Sequence, residues 1–91
     1  MIYDVTFSKQ AEEDIKYLKR HEPQAYRKVL KFLLELQEHP ATGTGHPKPL
    51  GEDRKGQWSR RITDKHRLVY AIEEEKIIVL VLSSYGHYDD K

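Results

Sequence analysis

Apolar and polar positions alternate from Ile2 to Phe7, with Tyr3, Val5 and Phe7 on one side and Asp4 and Thr6 on the other, which predicts a half-buried strand. The period then changes. Ala11, Ile15 and Leu18 recur at helical spacing behind Ser8, a residue type that caps helix N-termini. Glu12, Glu13 and Asp14 place negative charge near the positive end of that helix. The first helix is expected to run to Lys19 or Arg20 and to stop in His21-Glu22. Pro23 suits the first position of a second helix, in which Tyr26, Val29, Leu30, Leu33 and Leu36 or Gln37 form the buried stripe, widened by Phe32 and Leu34. His39-Pro40 ends it.

The stretch from Ala41 to Gly56 holds four of the five glycines and two of the four prolines, and a loop of that length is more often functional than idle. A β-hairpin follows: a run ending in Ile62-Thr63, a polar turn at Asp64-Lys65, then Leu68 to Ile72, rich in β-branched and aromatic residues. After a turn at Glu73 to Glu75, Lys76 to Leu82 is a nearly unbroken apolar run, expected to be the central strand buried on both faces. The tail from Ser83 to Lys91 is expected to emerge beside the hairpin. The order predicts a single α+β domain over residues 1–91, β-α-α-β-β-β, with two N-terminal helices packed on one face of an antiparallel sheet.

Composition narrows the function. The chain has 91 residues and no cysteine, which excludes a disulfide framework and any cysteine-based metal site. No apolar run reaches membrane-spanning length and no signal-peptide pattern opens the chain, so a cytoplasmic protein without a membrane partner is expected. No histidine pair has metal-ligand spacing and there is no Walker-type loop or G-x-S-x-G, so neither a metal nor a cofactor is expected.

Charge is unevenly distributed. From His46 to Arg67, Lys48, Arg54, Lys55, Arg60, Arg61, Lys65 and Arg67 face only Glu52, Asp53 and Asp64, a local net of +4 in a chain of +1. Concentrated positive charge suits a polyanionic partner, above all nucleic acid; a solvated basic hairpin with nothing bound is the bland alternative. Because side chains alternate along a strand, Arg60 and Arg61 must point opposite ways. An unperturbed imidazole titrates at about 6.5, so His87 can donate a proton near neutrality. With Arg61 and Arg67 as forked phosphate donors and Tyr88 to stack or hydrogen-bond, these residues suit a ribonuclease site in which RNA supplies its own 2′-hydroxyl nucleophile. His21, His39, His46 and His66 read as structural or solvated.

The segment from Gly56 to Tyr70, with Trp58-Ser59-Arg60-Arg61-Ile62-Thr63 at its heart, preceded by Gly43 to Leu50 and closed by His87-Tyr88, resembles the YoeB (Txe/YoeB) toxins of the RelE-like group. The resemblance implies the RelE-like fold and a toxin of a type II toxin-antitoxin pair. Its activity would be that of a metal-independent endoribonuclease that cuts translated mRNA in the ribosomal A site, held inactive by a cognate antitoxin and frequently homodimeric. By position, Arg67 corresponds to the phosphate-stabilising arginine, Arg61 to a second active-site cation, His87 to the general acid and Tyr88 to its neighbour at the scissile phosphate. Arg61, Arg60 and Trp58 are expected to bind substrate.

Two departures from the family stand out. Where it reads Pro-Glu-Pro-Leu-Lys with the glutamate as general base, this chain has Pro47-Lys48-Pro49-Leu50-Gly51, and Asp89-Asp90-Lys91 extends past the terminal aromatic residue. Lys48 is then expected to stabilise the phosphorane, with the 2′-hydroxyl proton passing to water, a phosphate oxygen or Glu52. A binding protein of the same fold with weak or no activity, and a ParE-like gyrase inhibitor, are the alternatives.

Overall fold

The computed structural model describes residues 2–51 and 56–81. His87 and Tyr88, with Glu52 and Lys55, lie outside them. In chain order the described residues form β1 (Asp4–Phe7), α1 (Lys9–His21), α2 (Pro23–Leu36), β2 (Lys48–Pro49), β3 (Gln57–Arg61), β4 (Arg67–Glu73) and β5 (Lys76–Val81). Both helices, the hairpin and the final strand thus form where periodicity and turn chemistry place them.

Local chemistry sets the helix ends. Ser8 Oγ accepts the Ala11 N–H at 3.0 Å and donates to the Leu80 carbonyl at 2.7 Å, so one hydroxyl both caps α1 and ties it to β5. Lys19, Arg20 and His21 occupy the last turn, where the helix dipole favours positive charge. Glu22 breaks the helix at φ −139°, its N–H satisfied by Leu18 O at 2.8 Å, and Pro23 starts α2.

The strands run in the order β1-β5-β4-β3-β2. β2, β3, β4 and β5 pair antiparallel, but β1 pairs parallel with β5, Val5 opposite Ile77 and Phe7 opposite Val79, so the sheet is mixed rather than wholly antiparallel. A parallel pairing requires a long crossover, and the two helices with β2 to β4 between β1 and β5 supply it. β4, not β5, is the middle strand. Its Leu68, Val69, Tyr70 and Ala71 are buried in succession, whereas β5 alternates between buried Ile77 and Val79 and half-buried Ile78 and Leu80.

The core joins Ala11 and Leu18 of α1, Ala25, Val29, Phe32 and Leu36 of α2, Leu68 and Tyr70 of β4, and Ile77 and Val79 of β5. The buried stripe of α2 is therefore turned from the one expected. Val29, Phe32 and Leu36 are buried as expected, but Leu30 is 43% and Leu34 71% exposed, and Ala25 faces inward instead. The apolar residues of α2 exceed what one face can hold, and the sheet takes the side that lets Phe32 pack under the following loop. Leu30, Leu33 and Leu34 with Val5 and Phe7 line a groove of about 420 Å³ beside the edge strand β1. No described helix is long and apolar enough to cross a membrane.

Candidate functional site

Pairing register decides which side chains share the sheet face away from the helices. Residues directly opposite across two strands point the same way, and neighbours along a strand point opposite ways. Arg60 packs toward α2, so Arg61, Ser59 and Gln57 belong to the other face. Arg61 lies opposite Arg67, Ser59 opposite Val69, and Lys48 opposite Ser59. Lys48, Arg61 and Arg67, from three adjacent strands, thus converge on one face.

Their charge is only partly relieved within the described residues. Arg61 and Arg67 are like charges in a direct cross-strand pair, an unfavourable arrangement. Arg61 Nη2 reaches Asp64 Oδ1 at 3.0 Å, but that pair is at the surface, with the two side chains 53% and 95% exposed. Neither Lys48 nor Arg67 makes an ion pair with a described carboxylate. Cations held together at some cost to the fold, on one face of the sheet, fit a phosphate group seated between them. Among the described residues no three or more His, Asp or Glu side chains gather as metal ligands.

The turn below these arginines is firmly built. Thr63 Oγ1 accepts the N–H groups of Lys65 and His66 at 3.2 and 3.1 Å, and the N–H groups of Ile62 and Thr63 donate to His66 O. The His66 ring is buried, with Nε2 3.0 Å from Glu22 Oε2, which pins the hairpin to the junction between the helices. Of the two readings open for this histidine, the structural one holds.

Two residues expected on the substrate side lie elsewhere. Trp58 is opposite Tyr70 and packs half-buried against the core on the helix face. Arg60 is wholly buried and all five of its N–H donors are engaged. Nε donates to Tyr70 Oη at 3.3 Å. Nη1 donates to Glu35 Oε1 at 2.6 Å and Thr44 O at 3.3 Å. Nη2 donates to His39 O at 2.6 Å and Thr42 O at 2.7 Å. Its guanidinium also lies 5.7 and 5.9 Å from the ring centres of Phe32 and Tyr70. No donor of Arg60 is left for a phosphate. The physical reason is the alternation itself, which turns Arg60 inward once Arg61 faces out, and a buried guanidinium must then be fully paired.

Glu35, Thr44 and Tyr70, which complete this network, were not singled out from the sequence. A signal existed for Glu35, the lone acid in Phe32-Leu33-Leu34-Glu35-Leu36. Burial pushes its carboxyl up, but hydrogen bonds from the Thr44 hydroxyl and N–H and from Arg60, with the charge of Arg60, outweigh that and hold it below the usual 4.5. Tyr70 moves the other way, since burial raises its hydroxyl and Arg60 offsets only part of the rise. Its hydroxyl donates to Pro40 O.

Comparison with known proteins follows the same lines. Residues 7–88 match the family described as YoeB-like toxin of bacterial type II toxin-antitoxin system. The toxin YoeB of Mycobacterium bovis is 36% identical over 76 residues, 84% of this chain and 89% of that protein. The toxin YoeB of Escherichia coli K12 is 32% identical over 73 residues, 80% and 87% of the two chains. Among solved structures, the YoeB dimer from Staphylococcus aureus superposes with a TM-score of 0.83 at 32% identity, covering 97% of this chain and all of that one. The YoeB-YefM complex from the same organism gives 0.81 at 32% identity, with 97% and 100% covered.

Proposed function

The chain belongs to the YoeB-like toxins of bacterial type II toxin-antitoxin systems, and from that membership we propose that it is a metal-independent endoribonuclease that cuts mRNA in the ribosomal A site and so inhibits translation. The observation that carries this reading is the convergence of Lys48, Arg61 and Arg67 on one face of the sheet, with Arg61 and Arg67 directly opposite each other.

The reaction is a transfer within the RNA. The 2′-oxygen attacks phosphorus, the new P–O2′ bond closes a cyclic phosphate, and the P–O5′ bond breaks with its electron pair on the 5′-oxygen. Arg67 and Arg61 hold the scissile phosphate through forked, permanently charged donors, and Lys48 adds charge against the phosphorane as it forms. By their place in the family pattern, His87 protonates the departing 5′-oxygen and Tyr88 acts beside it at the scissile phosphate. The 2′-hydroxyl proton passes to water, to a phosphate oxygen or to Glu52, because an ammonium at position 48 cannot accept it. Lacking a strong base, the site depends on the ribosome to hold the 2′-oxygen in line. A cognate antitoxin is the natural partner, in keeping with the YoeB-YefM complex of the relative, and self-association is in keeping with the YoeB dimer.

The test is toe-printing of mRNA on translating ribosomes with purified protein. Cuts confined to the A site are expected, with little cleavage of free RNA under the same conditions. Arg67→Ala and His87→Ala should each remove both the cuts and growth arrest while leaving the fold intact, since losing a transition-state donor costs ~10²–10³ and a general acid ~10²–10⁴ in rate. Intact mRNA in the presence of growth arrest would turn the reading toward a gyrase inhibitor, and intact mRNA without arrest toward a binding protein.

A further inference from the structure

We propose that Arg60 is a positioning residue for the site on the opposite face of its own strand, setting the place of Lys48 through the loop that leads into β2. This rests on the ribonuclease reading above.

β2 is only two residues long and one of them is Pro49, which has no N–H to give to a ladder. So short an edge strand cannot fix its own register. Its place is held from its flanks. Downstream, the Leu50 N–H donates to Gln57 O at 3.0 Å. Upstream, the chain from His39 to Gly45 is tied down almost residue by residue. Arg60 takes the carbonyls of His39, Thr42 and Thr44, Tyr70 Oη takes that of Pro40, and the Arg61 N–H takes that of Gly45 at 2.8 Å. Glu35, bound to the Arg60 guanidinium, accepts in turn from the N–H and hydroxyl of Thr44.

The loop also fits closely where it passes Arg60. A Cβ on Gly43 would stand 2.6 Å from Glu35 Oε1, and one on Gly45 would stand 2.6 Å from Phe32 Cζ and 3.2 Å from Arg60 Cβ. Arg60 lies between Ser59, opposite Lys48, and Arg61, opposite Arg67. One buried guanidinium therefore holds the loop that delivers Lys48 against the strand that delivers Arg61. Lysine at position 60 retains the charge but offers three donors in no fixed plane, so it cannot hold the same set of carbonyls. Misplacing a charged group by about 1 Å at a reacting phosphate can cost ~10²-fold in rate.

The experiment is a pair of double-mutant cycles read by single-turnover cleavage on ribosomes: Arg60→Lys and Glu35→Gln, each alone and combined with Lys48→Ala, with folding checked by circular dichroism. The expected result is a clear loss of rate, up to ~10²-fold for Arg60→Lys, in the Lys48 background and little further loss once Lys48 is alanine. If Arg60→Lys does not fold, the milder Glu35→Gln cycle decides alone. An equal loss in both backgrounds, or none in either, overturns the positioning role and leaves the ribonuclease reading standing. Absence of cleavage by the unmodified protein overturns that reading, and the positioning role with it.

Discussion

Arg61 and Arg67 stand directly opposite one another across the β3-β4 pair. Opposed like charges cost a sheet up to about 1 kcal/mol, so the fold is expected to gain slightly when one is neutralised. Arg67→Gln keeps part of the packed stem and leaves the Arg61-Asp64 contact in place. Its urea midpoint should be unchanged or raised by no more than about 1 kcal/mol equivalent, while cleavage on ribosomes falls ~10²–10³-fold. A marked loss of stability would show that the pair is not repulsive and that Arg67 serves the fold.

Glu35 makes acid sensitivity local. Its carboxyl is held below 4.5 in the folded chain and returns to an ordinary value on unfolding, so the unfolded state binds more protons in between. The stability it contributes is present above the unfolded value and is lost as pH falls through the folded one. Urea unfolding between pH 7 and pH 3 should therefore show a gap between the unmodified protein and Glu35→Gln that narrows as the pH drops. A gap constant across that range would mean that its charge does not stabilise the fold.

Gly45 and Gly51 separate backbone strain from close packing. Both have positive φ, +81° and +99°, but only Gly45 faces atoms within 4 Å of a built Cβ. Gly51→Ala should cost about 1–2 kcal/mol, the left-handed penalty alone. Gly45→Ala adds a clash with the Phe32 ring worth a further ~1–3 kcal/mol. Equal losses in denaturant unfolding would mean that the loop yields at Gly45 and is not tightly held.

Lys48 is where the site's chemistry departs from the glutamate pattern. As an electrostatic stabiliser, its replacement by alanine or glutamine should slow single-turnover cleavage with little change in pH profile. Lys48→Glu should either add a titrating base limb near the carboxylate range or repel the phosphate and slow the reaction further. Unmodified rates in all three variants would make it a solvated loop residue.

Periodicity, capping and turn chemistry belong to contiguous residues, and the sequence by itself determined what depends on them. It predicts α1 from Ser8 and the 11-15-18 spacing, α2 from Pro23, the hairpin around Asp64-Lys65 and the apolar run of β5. It also required Arg60 and Arg61 to part company, since that follows from alternation alone. Which of them turns inward was decided only by the tertiary structure, because the partners of Arg60 are Glu35, His39, Thr42, Thr44 and Tyr70, distant in the chain and brought together by α2 and β4. The same holds for the parallel β1-β5 pair, for the burial of Ala25 in place of Leu30 and Leu34, and for the meeting of Lys48 with Arg61 and Arg67. Facing and adjacency are set by register and by competition among long-range contacts for one interior, and no local pattern carries that information.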